Sequence, residues 1–523
     1  MHENRETSVA PADSAGRTAK AQSHKAGTYA AEESDCGAVP MNQPNKGAQA
    51  PAEAGEGRPR PKENTGQSHT PPAQNGERVS QGLNGVRQAA RERKQERFTT
   101  LLHHLNVNLL KSSYYALKRK AVPGVDGMRW REYEDGLEDR LRDLHSRIHR
   151  GAYRAQPSRR VYIPKADGKQ RPLGIASLGD KIVQQAVVTI LNQIYEVDFR
   201  GFSYGFRPGR DPHQALDALN VGICRRRVNW ILDADIRGFF DHVSHEWLGK
   251  FLRHRIGDPR VLRLIQKWMK AGILEDGEWS ETEQGTPQGA VISPLLANVY
   301  LHYVFDLWAE VWREKVATGD MVVVRYADDL VVGFQHQADA ERFLKEFQER
   351  LAKFELEVHP DKTRLMAFGR EAWRHRKREG RAKLETFTFL GFTHYCGENS
   401  KGYFQVWRKT AGKRMRAKLQ QIKQELRARM HEPVEATGKW LKRVVMGYYQ
   451  YHAVPGNLPQ LGRFRWRLTR LWRYVLRRRS QHSRATWNVI GPVFDRWVPA
   501  PRTLHPYPNV RFDARIQGRS RMR

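Results

Sequence analysis

The sequence predicts an α+β fold followed by a helical region. Residues 81–405 alternate between runs rich in β-branched residues and amphipathic patterns, with frequent Gly and Pro between them. Residues 406–490 instead repeat apolar residues at a spacing near 3.6, which indicates packed helices. Because 523 residues are enough for two or three domains, we expect an α+β domain over 81–405 and a helical domain over 406–490.

The two ends of the chain differ from this middle. Residues 1–80 contain no Leu, Ile, Phe or Trp. Such a segment cannot bury enough apolar surface to offset the entropy lost on ordering, so we predict a disordered tail. Residues 491–523 follow the last helical pattern and are predicted to form a short basic tail.

The charge is strongly basic and unevenly placed. The formal net charge is +33, and residues 401–523 contain 29 Lys and Arg against 5 Asp and Glu. A surplus of this size indicates a polyanionic partner, either nucleic acid or an anionic membrane surface. No run of about 18 apolar residues and no signal-peptide core is present, so we expect a cytoplasmic protein without a membrane span. The three cysteines are widely spaced and predict reduced thiols rather than disulfides or a zinc pair.

One long helix is predicted in the middle of the chain. Ser293-Pro294 forms an N-cap followed by Pro at the first helical position. Apolar pairs then recur every four residues from Leu295 to Trp312. Most of these side chains should belong to the core.

Two adjacent carboxylates, Asp328 and Asp329, stand between two apolar runs. Met321–Tyr326 and Leu330–Phe334 predict a hairpin with Ala-Asp-Asp in its turn. An ordinary polar turn would also give this pattern. Two carboxylates about 4 Å apart, however, repel by roughly 1–4 kcal/mol, and a divalent cation would remove that cost. Oxygen-only ligands suit Mg²⁺, which also binds phosphate oxygens.

A second acidic segment, Trp230–His245, begins as a strand. Asp233 and Asp235 would share one face of this strand, while Asp241 is expected to cap the following helix, with metal binding as the alternative. Beside the hairpin, Asp235 would complete a carboxylate cluster. Two metal ions held there would activate an attacking 3′-hydroxyl and stabilise a leaving pyrophosphate.

Several sequence blocks resemble the bacterial group II intron-encoded reverse transcriptases. "YADD" resembles their polymerase motif, and five further blocks occur in the family's order across about residues 120–395. These blocks are VYIPKADGKQRPLGIASLGDKIVQQAV (161–187), FSYGFRPGRDPHQAL (202–216), GTPQGAVISPLLANVYLH (285–302), LEVHPDKTRL (356–365) and FTFLGFTHY (387–395). The resemblance implies a right-hand polymerase fold, with fingers and palm over 81–405 and an α-helical thumb and maturase domain over 406–490.

The resemblance also implies roles for individual residues. Asp235, Asp328 and Asp329 would be the catalytic, metal-binding carboxylates, holding two Mg²⁺ ions. The expected contacts to the incoming deoxynucleoside triphosphate are Lys165, Arg171, Phe240, Gln288, Gly289 and Lys362. Phe240 would exclude a 2′-hydroxyl, a role that its neighbour Phe239 could take instead. Tyr326, Arg207 and Arg210 would contact template or primer, although both arginines could equally pack their own loop.

Residues 461–476 predict an amphipathic helix with one apolar and one basic face. The basic residues expected to bind nucleic acid are Arg463, Arg467, Arg470, Arg473 and Arg477. Arg and aromatic side chains together suit RNA loops, through guanidinium and ring stacking. By resemblance, this region would bind the parent intron RNA. Because no cysteine-rich region follows the helical domain, this sequence resembles the endonuclease-lacking branch of the family.

The sequence therefore predicts an RNA-directed DNA polymerase that extends a DNA primer on an RNA template and assists the splicing and mobility of its intron into a DNA target. One alternative is a splicing-only, RNA-binding maturase with an inactive polymerase. Another is a reverse transcriptase of a different bacterial lineage.

Overall fold

The computed structural model describes residues 73–164, 170–380, 384–480 and 486–516. The predicted α+β composition is confirmed there. The first elements are α1 (Ala73–Glu92), α2 (Val107–Ala116), α3 (Trp130–Glu134), α4 (Leu137–His149), β1 (Ser158–Pro164), β2 (Gln170–Ile175), α5 (Leu178–Asp198) and α6 (Pro212–Arg225). They are followed by β3 (Trp230–Ala234), α7 (His245–Arg253), α8 (Pro259–Met269), β4 (Ile273–Glu275), β5 (Glu278–Ser280), α9 (Ser293–Leu301), α10 (Leu307–Lys315), β6 (Met321–Tyr326), β7 (Asp329–Phe334), α11 (Gln337–Ala352), β8 (Arg364–Ala367) and α12 (Arg370–Arg378). The last elements are β9 (Phe387–Phe389), β10 (Phe392–Glu398), β11 (Phe404–Thr410), α13 (Gly412–Ala428), α14 (Val434–His452), α15 (Leu458–Arg477), α16 (Trp487–Trp497) and α17 (Pro508–Ile516).

The central sheet has the strand order β6-β7-β3-β8, and all of its neighbouring strands are antiparallel. β3 and β7 pair from Trp230 opposite Phe334 to Ala234 opposite Leu330. β6 and β7 form the predicted hairpin, in which Tyr326 pairs with Asp329. Asp329 is therefore the first residue of β7 rather than part of the turn. The carboxyl end of β3 and the hairpin turn lie at the same edge of this sheet.

The predicted long helix is confirmed, with one interruption. α9 and α10 are joined by a single π-helical segment, His302–Asp306. Ser293 is the first residue of α9 and not its N-cap; its hydroxyl donates to the carbonyl oxygen of Pro287 (2.9 Å). A π segment shifts the helix register and often marks a functional position.

Two smaller sheets flank the central one. β2-β1-β4-β5 form a mixed sheet, and β11-β10-β9 form an antiparallel one. The main hydrophobic core lies between the central sheet and the helices from α1 to α11 other than α6, and a second core lies between α6 and the β9–β11 sheet. A separate core holds α13 to α16 together.

The predictions for the chain ends have different outcomes. Residues 1–72 of the predicted N-terminal tail lie outside the described residues, and residues 73–80 belong to α1. The predicted C-terminal tail is wrong over its described part, because α16 extends to Trp497 and α17 follows. α17 packs on α6, where Arg511 forms an ion pair with buried Asp217 (2.9 Å). This partner is almost 300 residues away in sequence, so a local pattern could not indicate it.

None of the helices in the described part of the chain is long and apolar enough to cross a membrane. Cys224 and Cys396, the two cysteines that the structure describes, are free thiols.

Candidate active site

The hairpin turn carries Asp328 in a strained connection. Ala327 has φ +56°, a left-handed conformation that a residue with a Cβ seldom adopts. Asp328 is partly buried, whereas Asp329 is only 3% exposed. Strain of this kind persists only where the surroundings hold the backbone in place.

A buried arginine holds this turn. Arg325 is 0% exposed, and its Nη1 donates to the carbonyl oxygen of Ala327 (3.0 Å). Its Nε and Nη2 donate to the two carboxylate oxygens of Asp306, at 2.7 and 2.6 Å. Nη1 also donates to the side-chain oxygen of Asn298 (3.0 Å). Asp306 ends the π segment, so the helix interruption and the hairpin turn share one ion pair.

Arg325 and Asp306 are not among the site residues predicted from the sequence. The available signal was a charged residue within an otherwise apolar strand, because such a residue, when buried, needs a partner of opposite charge. Because Asp306 lies outside the strand, the local pattern did not indicate it as the partner.

A glycine packs against the same turn from the other side. Tyr204 donates its backbone N–H to the carbonyl oxygen of Arg325 (2.8 Å). A Cβ added at Gly205 would lie 2.2 Å from the backbone nitrogen of Ala327. The FSYGF block thus forms one wall of the hairpin, and only glycine leaves room for the turn.

Asp235 directly follows β3. One further step in the β3–β7 register would place Asp235 opposite Asp329, since Ala234 pairs with Leu330. Asp235 is 8% exposed, and its carboxylate accepts from Nζ of Lys362 (3.2 Å). The backbone N–H of His359 donates to the carbonyl oxygen of Asp235 (2.7 Å), which fixes the loop that carries Lys362. Lys362 is therefore next to a candidate catalytic carboxylate, as a nucleotide contact would need to be.

Asp233 lies in β3, two residues before Asp235. Burial raises the pKa of its carboxyl to about 7; Arg364 opposes the shift and the charge of Asp235 adds to it. A carboxyl with a pKa of about 7 is half protonated at neutral pH, which reduces the repulsion between Asp233 and Asp235.

Within the described ranges, no three Asp, Glu, His or Cys side chains converge closely enough to form a ready-made metal site. The donor set nevertheless fits Mg²⁺ by its chemistry, because Asp235, Asp328 and Asp329 offer only carboxylate oxygens. The ammonium group of Lys362 supplies the positive charge beside Asp235 in this arrangement.

Arg171 and Gln288, both predicted to contact the incoming nucleotide, are hydrogen-bonded to each other. Nε of Arg171 donates to the side-chain oxygen of Gln288 (2.9 Å), and the amide of Gln288 donates to Asp241 (3.2 Å). Asp241 therefore pairs with Gln288, and it does not cap α7, whose N-cap is Ser244. Gly289 has φ +111°, and a Cβ there would lie 2.9 Å from the carbonyl oxygen of Gly174.

Phe239 and Phe240 have separate environments. Phe239 is 2% exposed and belongs to the core, whereas Phe240 is only partly buried and lies beside Asp241. Of the two rings, Phe240 is the one that a bound nucleotide could reach. The predicted contact of Lys165 lies outside the described residues.

The sequence left open whether Arg207 contacts the template or packs its own loop. Arg207 is 6% exposed and forms an ion pair with Glu196 of α5 (3.1 Å). Its Nη1 donates to the carbonyl oxygens of Arg200 and Ser203, both at 2.7 Å. Arg207 therefore packs its loop. Arg210 is half-buried, with its guanidinium over the ring of Tyr204, and Tyr326 is half-buried near Phe206; for these two residues the nucleic-acid contact stays a prediction.

The predicted amphipathic helix is confirmed as α15. Its buried face includes Leu461, Phe464, Leu468, Trp472, Val475 and Leu476. Arg463, Arg467, Arg470 and Arg477 are exposed, and Arg473 is half-buried with its guanidinium over the ring of Trp487. The contact of these arginines with nucleic acid stays a prediction.

Comparisons with known proteins identify the family of this chain. Residues 163–394 match the family described as reverse transcriptase (RNA-dependent DNA polymerase). Protein YkfC of Escherichia coli K12 is 36% identical over 278 residues, which cover 47% of this chain and 72% of YkfC. Group II intron-encoded protein LtrA of Lactococcus lactis subsp. cremoris is 42% identical over 170 residues, or 32% of this chain and 28% of LtrA. Nuclear intron maturase 1 of Arabidopsis thaliana is 30% identical over 91 residues, which cover 17% of this chain and 12% of the maturase.

The chain therefore belongs to the reverse transcriptase family, among the group II intron-encoded reverse transcriptases and maturases. Its enzyme class is RNA-directed DNA polymerase.

Proposed function

We propose that this protein extends the 3′-end of a DNA primer on an RNA template, with Asp235, Asp328 and Asp329 holding two Mg²⁺ ions. The observation that carries this proposal is the strand register, which brings the end of β3 to the hairpin turn. Two carboxylate-bearing segments from distant parts of the sequence thereby share one sheet edge. When bound, the ions would lower the pKa of the primer hydroxyl and stabilise charge on the leaving pyrophosphate.

The protein's own groups would bind and orient the substrates. Lys362, which donates to Asp235, and Arg171, which donates to Gln288, carry positive charge suited to a triphosphate. Gln288, held between Arg171 and Asp241, would position the nascent base pair, and the lack of a side chain at Gly289 would allow close approach. Phe240 would contact the sugar and exclude a 2′-hydroxyl. In this proposal the β2-β1-β4-β5 sheet belongs to the fingers, the central sheet to the palm and α13 to α15 to the thumb.

We also propose that the basic helical region binds the parent group II intron RNA and assists its splicing and mobility into a DNA target, in the cytoplasm of a bacterial cell. The charge of residues 401–523 and the exposed arginines of α15 support RNA binding. The names of the relatives LtrA and nuclear intron maturase 1 point to the same class of RNA.

Primer extension tests the polymerase proposal. The parent protein, Asp328→Ala and Asp139→Ala would be supplied with an RNA template, a DNA primer, Mg²⁺ and deoxynucleotides. Asp139 lies on α4 with its side chain 87% exposed, so its variant controls for the loss of a carboxylate. We expect extension by the parent and by Asp139→Ala but not by Asp328→Ala. A folded, RNA-binding parent that extends no primer would instead support a splicing-only maturase.

A further inference from the structure

A groove of about 670 Å³ lies between α13 and α15, away from the hairpin. Its α13 wall carries three basic residues at helical spacing, Lys413, Arg416 and Lys423. Its α15 wall carries Trp466, Arg467 and Arg470. None of the residues that line this α13–α15 groove is acidic. The cations therefore have no carboxylate from the groove wall to neutralise them, and the groove carries a concentrated positive charge.

The apolar part of the groove lining includes an exposed ring. Leu419 and Leu471 line it from the two helices. Trp466 has 56% of its surface exposed, an unusual state for the largest apolar side chain. The guanidinium of Arg470 lies 4.6 Å from the centroid of the Trp466 ring, so one face of the indole is held by a cation–π contact. The contact orients the ring and leaves part of it open to a ligand.

We propose that the α13–α15 groove binds an unpaired base of an RNA strand, which stacks on Trp466 while the flanking phosphates contact the basic residues of both walls. This inference deepens the RNA binding proposed above and depends on it. Proteins that bind single-stranded nucleic acids combine aromatic rings with cations, because every base offers a π-face and every linkage carries a charge. The amide of Gln420, which also lines the groove, is able to hydrogen-bond the edge of the base.

The chemistry favours an unpaired nucleotide over a duplex. In A-form duplex RNA the base faces are stacked on one another, and a protein contacts mainly phosphates and 2′-hydroxyls. A duplex could use the five cations of the groove but would have no surface to offer the Trp466 ring. Loops, bulges and single-stranded ends expose such a surface, and folded intron RNA contains all three.

The test is equilibrium RNA binding by the full chain, measured by fluorescence anisotropy. One labelled probe is a stem of two annealed RNA strands with an unpaired 3′ extension (the extended stem), and the other is the same stem with two blunt ends (the blunt stem). The proteins are the parent, Trp466→Ala, Trp466→Phe and the control Tyr403→Ala, whose side chain is exposed (69%) on the turn between β10 and β11. We expect Trp466→Ala to raise the Kd for the extended stem roughly 10-fold, the loss typical of one stacked base. Trp466→Phe should retain most of the affinity, and Tyr403→Ala should change nothing.

Binding of the blunt stem shows whether the groove holds an unpaired base or a duplex. If the groove holds an unpaired base, Trp466→Ala leaves the Kd for the blunt stem unchanged. Equal weakening for both probes would overturn the proposal in favour of duplex contact, and no weakening for either would overturn it outright. Arg416→Gln should reduce the slope of log Kd against log salt by about 0.7, the value for one phosphate contact on a single strand. Primer extension by the same variants is assayed separately, so a failure of polymerisation would not be mistaken for a failure of the groove.

Discussion

Arg325 and Asp306 form a fully buried, bidentate ion pair, with N–O distances of 2.7 and 2.6 Å and both side chains 0% exposed. The pair connects the π segment of the long helix to the hairpin that carries Asp328. The same guanidinium donates to Ala327 in the turn. The position of the candidate catalytic carboxylates therefore depends on a charge pair that would not itself contact the substrate.

Separating the positioning role of Arg325 from its structural role needs two variants. Arg325→Ala leaves Asp306 buried without its partner, and we expect a loss of about 3–5 kcal/mol in the free energy of unfolding. The double variant Arg325→Met/Asp306→Leu removes both charges and should recover most of this stability. It should still extend primers poorly, because Ala327 loses its hydrogen bond. Denaturant unfolding and the rate of single-nucleotide addition measure the two effects; normal addition by the double variant would show that the pair serves stability alone.

Gly205→Ala is predicted to impair polymerisation. Its new Cβ would lie 2.2 Å from the backbone nitrogen of Ala327, so the turn must move. A displacement of about 1 Å in a catalytic group can cost about 100-fold in rate. Gly447→Ala is the matched control: Gly447 is exposed on α14, with nothing within 4 Å of an added Cβ, and alanine there should stabilise the helix slightly. Equal extension rates for the two variants would disprove the close packing of the FSYGF block on the turn.

Phe240 and Phe239 should respond differently to truncation. Phe240→Ala removes a partly exposed ring, and we expect more incorporation of ribonucleotides relative to deoxynucleotides with little change in stability. Phe239→Ala leaves a cavity in the core and should destabilise the protein by about 3–5 kcal/mol. Competition between the two nucleotide types at one template position, together with thermal unfolding, tests this. Unchanged sugar selection in a folded Phe240→Ala protein would remove that residue from the nucleotide site.

The buried histidines predict sensitivity to acid. Burial lowers the pKa of both His394 and His452 to about 3, below the usual value of 6.5. The unfolded chain therefore binds protons below pH 6.5 that the folded protein does not, so stability is present above pH 6.5 and falls as the pH drops toward 3. Each histidine contributes a slope of about 1.4 kcal/mol per pH unit in that range.

His394→Phe tests this slope. The imidazole of His394 stacks on Phe387 at 4.8 Å between ring centroids, and a phenyl ring has a similar shape. We expect the stability of the variant to fall less between pH 6.5 and pH 5 than that of the parent, in urea unfolding at several pH values. A parallel loss in both proteins would indicate that His394 is protonated in the folded state.

The sequence predicted those features that depend on local pattern. The hairpin, the strand before Asp235, the long central helix and α15 are all encoded by apolar spacing within one segment. The strand order β6-β7-β3-β8 and the partners of buried charges are set by contacts between distant segments. The sequence left open whether Arg207 contacts the template or packs its loop, because its partner Glu196 lies on another element, α5. α17 was missed because its stability comes from α6 and Asp217 rather than from its own sequence.

The most direct test of the account is the number of Mn²⁺ ions bound at the three aspartates. Mn²⁺ replaces Mg²⁺ in oxygen sites and can be counted by electron paramagnetic resonance. The protein would be titrated in complex with an RNA template, a chain-terminated DNA primer and the next deoxynucleotide, alongside Asp235→Asn. We predict two bound ions in the parent, as a two-metal site requires, and fewer in Asp235→Asn. The same number of bound ions in both proteins would contradict the assignment of Asp235 and, with it, the proposed catalytic site.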